Sequence, residues 1–154
     1  MAMPRDVRRL ALLVLYQLDA RGEGDLESIR ASVEDPAALA DEGPVAVDGE
    51  FRKPEIEKAV ELGLGAFRAH KAADAEMLTL APDWPAHRQA ALDRAVLRLA
   101  HFEITTGRVD PKIAVNEAVE LAKAFGTDKS PAFVNALLDK VLKRVLREAM
   151  GSGQ

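Results

Sequence analysis

The sequence predicts an all-α protein, and three observations carry that prediction. Apolar residues recur at three- and four-residue spacing along most of the chain. No stretch of useful length alternates apolar and polar, and no hairpin dipeptide lies between alternating runs. Proline and glycine fall mostly at the ends of the periodic segments, where helices start and stop. At 154 residues the chain suits one domain, or two small subdomains sharing a core.

The elements follow in order. A first helix spans about 5 to 19 and ends near Gly22. A weaker second helix covers about 26 to 33 and is stopped by Pro36. Residues 36–54, "PAALADEGPVAVDGEFRKP", read as an acidic loop bracketed by prolines. The third helix begins after Pro54, with Ile56, Val60, Leu64 and Phe67 as its stripe. Gly63 and Gly65 weaken it or let another helix approach closely. A fourth helix near 72 to 80 is closed by Pro82 and Pro85 around the only tryptophan, Trp84. A fifth runs from about 87 to 106 and ends at Gly107. A sixth covers 113 to 125 and is capped by Gly126. The last starts at Ser130, with Pro131 at the first helical position. The expected organisation is one domain over 1–150, with subdomains near 1–80 and 85–148. The tail 151–154 reads as disordered.

Composition narrows the function. Cysteine is absent, which excludes disulfides, cysteine zinc sites and thiol nucleophiles. No apolar run reaches the roughly 18 residues of a membrane span. The N-terminus begins basic and turns apolar, but it lacks a small-x-small cleavage site, so it reads as a helix of a cytoplasmic protein. The net charge of −4 hides segregation. Residues 22–50 carry nine acids and one base, whereas 129–148 carry five bases and two acids.

Enzyme motifs are missing: there is no glycine-rich phosphate loop and no nucleophile elbow. His70, His87 and His101 lack ligand spacing and read as surface or cap residues. Glu117 and Glu120 form an ordinary one-turn pair. No catalysis, metal or cofactor is expected. Glu103 continues the apolar stripe of Leu92, Val96, Leu99 and Ala100. A carboxylate there must be satisfied, and a structural acceptor is the expected role. Asn116 and Asn135, at stripe edges, suit structural hydrogen bonds.

The last helix is more informative. Val134, Leu137, Leu138, Val141 and Val145 share one face. Phe133 falls roughly 100° away, towards Lys140, Lys143, Arg144 and Arg147, with Lys129 just before. An aromatic beside bases at a helix start can stack an unpaired base. It can equally be a staple that packs the loop down, and spacing alone favours packing. In the first helix, leucines and valines cover nearly the whole circumference. Such a helix is central to a core or offers an apolar side to a partner, and central burial is the favoured reading. Its start, Arg5, Arg8 and Arg9, puts positive charge where the helix dipole disfavours it, a small cost that a bound anion would offset.

Taken together, "RRLALLVLYQLD" (8–19), "DWPAHR" (83–88), "DRAVLRLAHFEI" (93–104), "IAVNEAVELAKAFG" (113–126) and "SPAFVNALLDKV" (130–141) resemble the NusB family of transcription antitermination proteins. The resemblance runs from residue 5 to about 145 and leaves 22–54 poorly matched. It implies an all-helical NusB-like fold of two small bundles around the first helix. It implies binding of boxA-type single-stranded RNA together with NusE, a small-subunit ribosomal protein, within RNA polymerase antitermination complexes on ribosomal RNA. On the RNA side it points to Arg5, Arg8, Lys129 and Phe133, with Lys112 and Arg9 as further candidates. On the NusE side it points to Tyr16 and Asp93, with Arg94 nearby. Departures are visible. Asp6 interrupts the basic cluster, and Lys129 stands where an acid is common. Leu13 widens the apolar side of the first helix, which would allow a homodimer. Two alternatives stand beside this reading: the N-terminal RNA-binding domain of a ribosomal RNA cytosine methyltransferase, and a helical interaction bundle without RNA affinity.

Overall fold

The computed structural model describes residues 4–40, 43–47 and 49–152. Among the described residues there are α-helices and short 3-10 turns and no strand. The helices are α1 (Arg5–Arg21), α2 (Leu26–Val33), α3 (Pro36–Ala40), α4 (Lys53–Arg68), α5 (His70–Leu80), α6 (Ala91–Thr105), α7 (Pro111–Phe125) and α8 (Ser130–Ser152). The all-α expectation is met. Gly151 and Ser152, expected in a disordered tail, continue α8, and the rest of that tail lies outside the described residues.

The chain divides into two compact units between Arg68 and Ala69, rather than near 80–85 as the sequence suggested. Side chains explain the difference. α5 buries Ala73 and Met77, and its acids Asp74 and Glu76 bond to Arg98, His101 and Arg144 of the second unit.

In the first unit, α1 packs chiefly along α4. Leu10, Leu12, Leu13, Val14, Leu15 and Leu18 are all buried, as the helix's all-round apolarity requires. Leu13, expected to widen a face for a second copy, is only 1% exposed, so it offers none. Gly63 sets the approach of the two helices. A Cβ there would lie 2.9 Å from the Ala11 carbonyl oxygen and 2.9 Å from Val14 Cγ1. A backbone oxygen cannot move aside as a flexible side chain can. α2 buries Ile29 and Val33, and Arg30 ties it to Glu57 of α4 at 2.5 Å. Arg68 donates two bonds to the Glu23 carboxylate, at 3.0 and 2.9 Å.

The stretch 36–54 is not simply a loop. Leu39, Val45 and Val47 are buried, and the Val47 amide donates to the Leu39 carbonyl at 3.1 Å. Three buried apolar side chains outweigh the acidic, proline-rich composition that suggested a loop. That is the expected outcome when each burial is worth roughly 1.5–3 kcal/mol.

In the second unit, α6, α7 and α8 pack on one another and α5 packs on α6. α6 starts at Ala91, later than the expected 87. A 3-10 turn, Ala86–Arg88, precedes it, and Gln89 and Ala90 are extended. Side chains take carbonyls that a longer helix would have used. Arg94 Nη1 donates to the Ala86 and Gln89 carbonyls at 2.8 and 3.3 Å. Gln89 Nε2 donates to the Trp84 carbonyl at 3.0 Å.

The buried polar groups are paired, and among the described residues no buried side-chain polar atom lacks a hydrogen-bond partner. Glu103 is one such group, at 3% exposure. Arg98 makes a bidentate pair with Asp74, at 3.0 and 2.7 Å. Glu76 accepts from His101 Nε2 at 2.8 Å, from Arg144 Nη2 at 2.6 Å, and from Arg144 Nε. His101 therefore corrects the sequence reading: it is buried, at 5% exposure, instead of lying at the surface or at a cap. Burial pushes the Glu76 carboxyl up, but the bonds from Arg144 and His101 outweigh it and hold the group below its ordinary 4.5.

Two outcomes follow from this packing. Gly63→Ala is expected to cost about 1–3 kcal/mol through overpacking of α1 against α4, read as a lower midpoint in thermal or urea unfolding. Glu76, with its lowered value, favours the folded state fully above pH 4.5, and that contribution disappears as pH falls through the folded value. Glu76→Gln is expected to lose about 1–3 kcal/mol near pH 7 and to flatten the acid limb of stability against pH. Denaturant titrations across pH check both.

Candidate nucleic-acid interface

The turn from α7 into α8 is built tightly. The Gly126 amide donates to the Ala122 carbonyl at 2.9 Å and closes α7. A Cβ on Gly126 would lie 2.6 Å from the Ser130 side chain. Ser130 is buried, and its Oγ accepts from the Thr127 amide at 3.0 Å. The Phe133 amide then donates to the Lys129 carbonyl at 3.2 Å as α8 begins. Lys129 is left exposed in the turn, and Phe133 sits half-buried in the first turn of the helix.

Phe133 and Lys129 line a pocket of about 320 Å3 with Trp84, Arg88, Gln89 and Asp93. Residues far apart in sequence thus meet within the second unit. Trp84 is 50% exposed. The Arg88 guanidinium lies over its ring, with Cζ 5.6 Å from the centroid. Among the described residues neither Lys129 nor Asp93 has an ion-pair partner. The pocket therefore combines two aromatics, two cations and one carboxylate.

The other expected residues fall as follows. Lys112 is exposed in the first turn of α7. There Asp110 caps the helix by accepting from the Lys112 amide at 2.9 Å, and Pro111 occupies the start. Arg94 is engaged with backbone carbonyls, so it positions the Trp84 turn. In the first unit, Arg5 is exposed, and Arg9 and Tyr16 are partly so. Arg8 is buried at 2% exposure and does not join them at the surface, which corrects the picture of a three-arginine cluster. Helical periodicity explains this, since Arg8 stands one residue from Val7 and four from Leu12, both buried. Asn116 and Asn135 are exposed.

The basic side of α8 is thinner than its composition suggests. Lys143 pairs with Asp139 at 3.0 Å. Arg144 is held by Glu76 and by Glu148, the latter at 3.0 Å. Lys140 and Arg147 are exposed.

Sequence reasoning missed Trp84, Arg88 and Gln89 as site residues. One signal was present. The single tryptophan stands between two prolines, outside any apolar stripe, where a surface ring is the natural reading.

Comparison with known proteins gives the family and the fold. The model of the NusB family matches residues 5–143. The chain belongs to the NusB family. The transcription antitermination protein NusB of Kineococcus radiotolerans is 35% identical over 99% of this chain and 100% of its own. The structure of T. maritima NusB superposes with a TM-score of 0.71 at 30% identity, covering 93% of each chain. A structure of antitermination factors NusB and NusE in complex with double-stranded RNA aligns with a TM-score of 0.69, over 91% of this chain and 96% of its counterpart. Its identity of 24% supports the shared fold. The all-helical NusB fold is therefore the fold of this chain.

Proposed function

We propose that this NusB-family chain is a transcription antitermination factor. It binds boxA-type single-stranded RNA together with NusE in complexes that transcribe ribosomal RNA, and it works by binding alone. The observation that carries this reading is the pocket where Phe133 and Lys129 stand with an exposed tryptophan and a second cation. Aromatic faces stack unpaired bases, and cations beside them take the phosphates. The names of the relatives support the antitermination role, and the neighbour solved with NusE and double-stranded RNA supports NusE and an RNA as partner classes.

Roles are assigned residue by residue. Lys129 and Phe133 contact RNA at the pocket, and Lys112 adds a phosphate contact from the start of α7. Arg5 and Arg9 provide a second basic contact from the first unit. Arg8, being buried, supports the N-terminal turn of α1 and is not a direct contact. Tyr16 and Asp93 are assigned to NusE. Asp93 also lines the pocket, so the protein and RNA contacts meet there. Among the described residues no helix is long and apolar enough to cross a membrane, and no group of acids and histidines could hold a metal ion. The role assigned here belongs in the cytoplasm.

Titrating a labelled boxA-type RNA with and without NusE, at several salt concentrations, tests the reading. Phe133→Ala is expected to weaken RNA binding by about 1–3 kcal/mol. Lys129→Ala and Arg5→Ala are each expected to reduce the slope of log affinity against log salt by about 0.7, the share of one phosphate on a single strand. Tyr16→Ala is expected to reduce NusE binding while leaving binding to free RNA nearly intact. A folded protein that binds NusE but no RNA at any salt would reduce it to an interaction bundle.

A further inference from the structure

We infer that the first unit carries a docking point of its own: a small pocket between the end of α2 and the start of α4 that takes one arginine side chain from a basic segment of a partner protein. This goes beyond the RNA and NusE contacts proposed above and does not rest on them.

The shape of the pocket is the first argument. It encloses about 270 Å3, below the roughly 300–1,000 Å3 of small-molecule sites. Val33 from α2, Leu39 from α3 and Ile56 from α4 line it and are themselves buried. Phe51, half-buried, joins them, and so do the exposed Glu34 and Glu50. A lining of apolar groups and exposed carboxylates suits a side chain with a hydrocarbon stem and a charged head.

The second argument is the charge left over. Residues 22–50 hold nine acids and one base. That base, Arg30, is committed to Glu57 at 2.5 Å. Glu23 pairs with Arg68, and Asp25 with Arg21. Asp35 accepts from the Ala37 amide at 3.0 Å at the start of α3. Among the described residues neither Glu34 nor Glu50 has an ion-pair partner. Arg52, close along the chain, pairs with Glu55 at 3.4 Å, and neither it nor Lys53 lines the pocket. Unpaired carboxylates at a pocket favour a cation from outside, and they repel phosphate.

The third argument is that the walls are set before anything binds. The Val47 amide donates to the Leu39 carbonyl at 3.1 Å and holds the chain against α3. Gly49 turns it at φ 113°, which a side chain at that position would resist. The Arg52 amide donates to the Glu55 carboxylate at 2.9 Å and fixes the entry into α4 beside Phe51.

These groups select the head group. A metal ion needs several oxygens close together, and among the described residues no group of acids and histidines supplies them. A guanidinium is flat, stacks on an aromatic ring and is weakly hydrated. It therefore suits Phe51 beside carboxylates better than a lysine ammonium does.

The isotope-labelled chain is titrated with acetyl-Gly-Arg-Gly-amide and followed by its backbone NMR shifts. The arginine peptide is expected to shift Glu34, Gly49, Glu50 and Phe51, and to bind less tightly as salt rises. Citrulline in place of arginine keeps the shape and removes the charge, and is expected to bind about 5- to 100-fold more weakly. Glu34→Gln and Glu50→Gln are each expected to weaken the arginine peptide about 1.5- to 5-fold, and Phe51→Leu about 2- to 5-fold. Glu27→Gln, on an exposed acid outside the pocket, is expected to change nothing. Circular dichroism checks each fold, and the two glutamine variants at the pocket alter exposed groups, so the test survives if Phe51→Leu does not fold. Equal weakening by Glu27→Gln means diffuse attraction to an acidic surface and overturns the pocket. Citrulline binding as tightly as arginine, or no shift up to the solubility limit of the peptide, overturns the arginine. If NusE displaces the peptide, the pocket belongs to the NusE face and the separate docking point is overturned. A boxA-type RNA that shifts the same amides overturns it as well.

Discussion

A carboxylate taken out of water must be compensated, and in this chain the rest of the second unit depends on how that is done for Glu76. The group sits on α5, a helix that buries little apolar surface of its own. Its two oxygens take hydrogen bonds from His101 on α6 and Arg144 on α8. One acid therefore fixes the relation of three helices. α6 carries Asp93 and α8 carries Phe133, so the spacing of the pocket depends on a polar cluster outside it. Removing Glu76 leaves the buried His101 without its carboxylate partner, whereas Arg144 keeps Glu148, so the loss falls mainly on the α5–α6 contact.

Much of the fold was legible in the sequence because it rests on local rules. Helical periodicity located in outline seven of the eight α-helices among the described residues, and the proline at 111 and the glycine at 126 marked the ends of α7. Gly63 and Gly65 could either weaken their helix or admit a neighbour, and the tight space at Gly63 against Ala11 and Val14 shows that α1 comes near there. The failures are non-local. The start of α6 is set by Arg94 and Gln89 side chains competing for carbonyls, which propensity does not register. The division between units follows α5, whose acids find their partners 24 to 68 residues further along the chain. His101 was misplaced for the same reason.

The site divides along similar lines. Phe133 and Lys129 stand four residues apart, about one helical turn, and could be read together. Trp84 and Arg88 could not be joined to them without knowing that the turn before α6 meets the turn before α8. Charge was the least legible property. Composition gave α8 a basic side, yet Arg144 is committed to Glu76 and Lys143 to Asp139. Lys112, Lys129, Lys140 and Arg147 stay exposed, and these are cations that the proposed RNA surface can draw on in an acidic chain. Charge available to a partner is what counts, rather than net charge.

The bracing of the turn around Trp84 has a consequence for where the entropy of association falls. Two prolines, three backbone-directed side-chain bonds and a buried glutamine leave this wall of the pocket little freedom to lose. The ordering cost of binding then rests on the other molecule. A strand already unstacked meets the site at little further cost, whereas one folded into a hairpin must first surrender its own pairing. In the proposed role, a rigid wall would favour RNA that is already single-stranded over RNA that must first unfold.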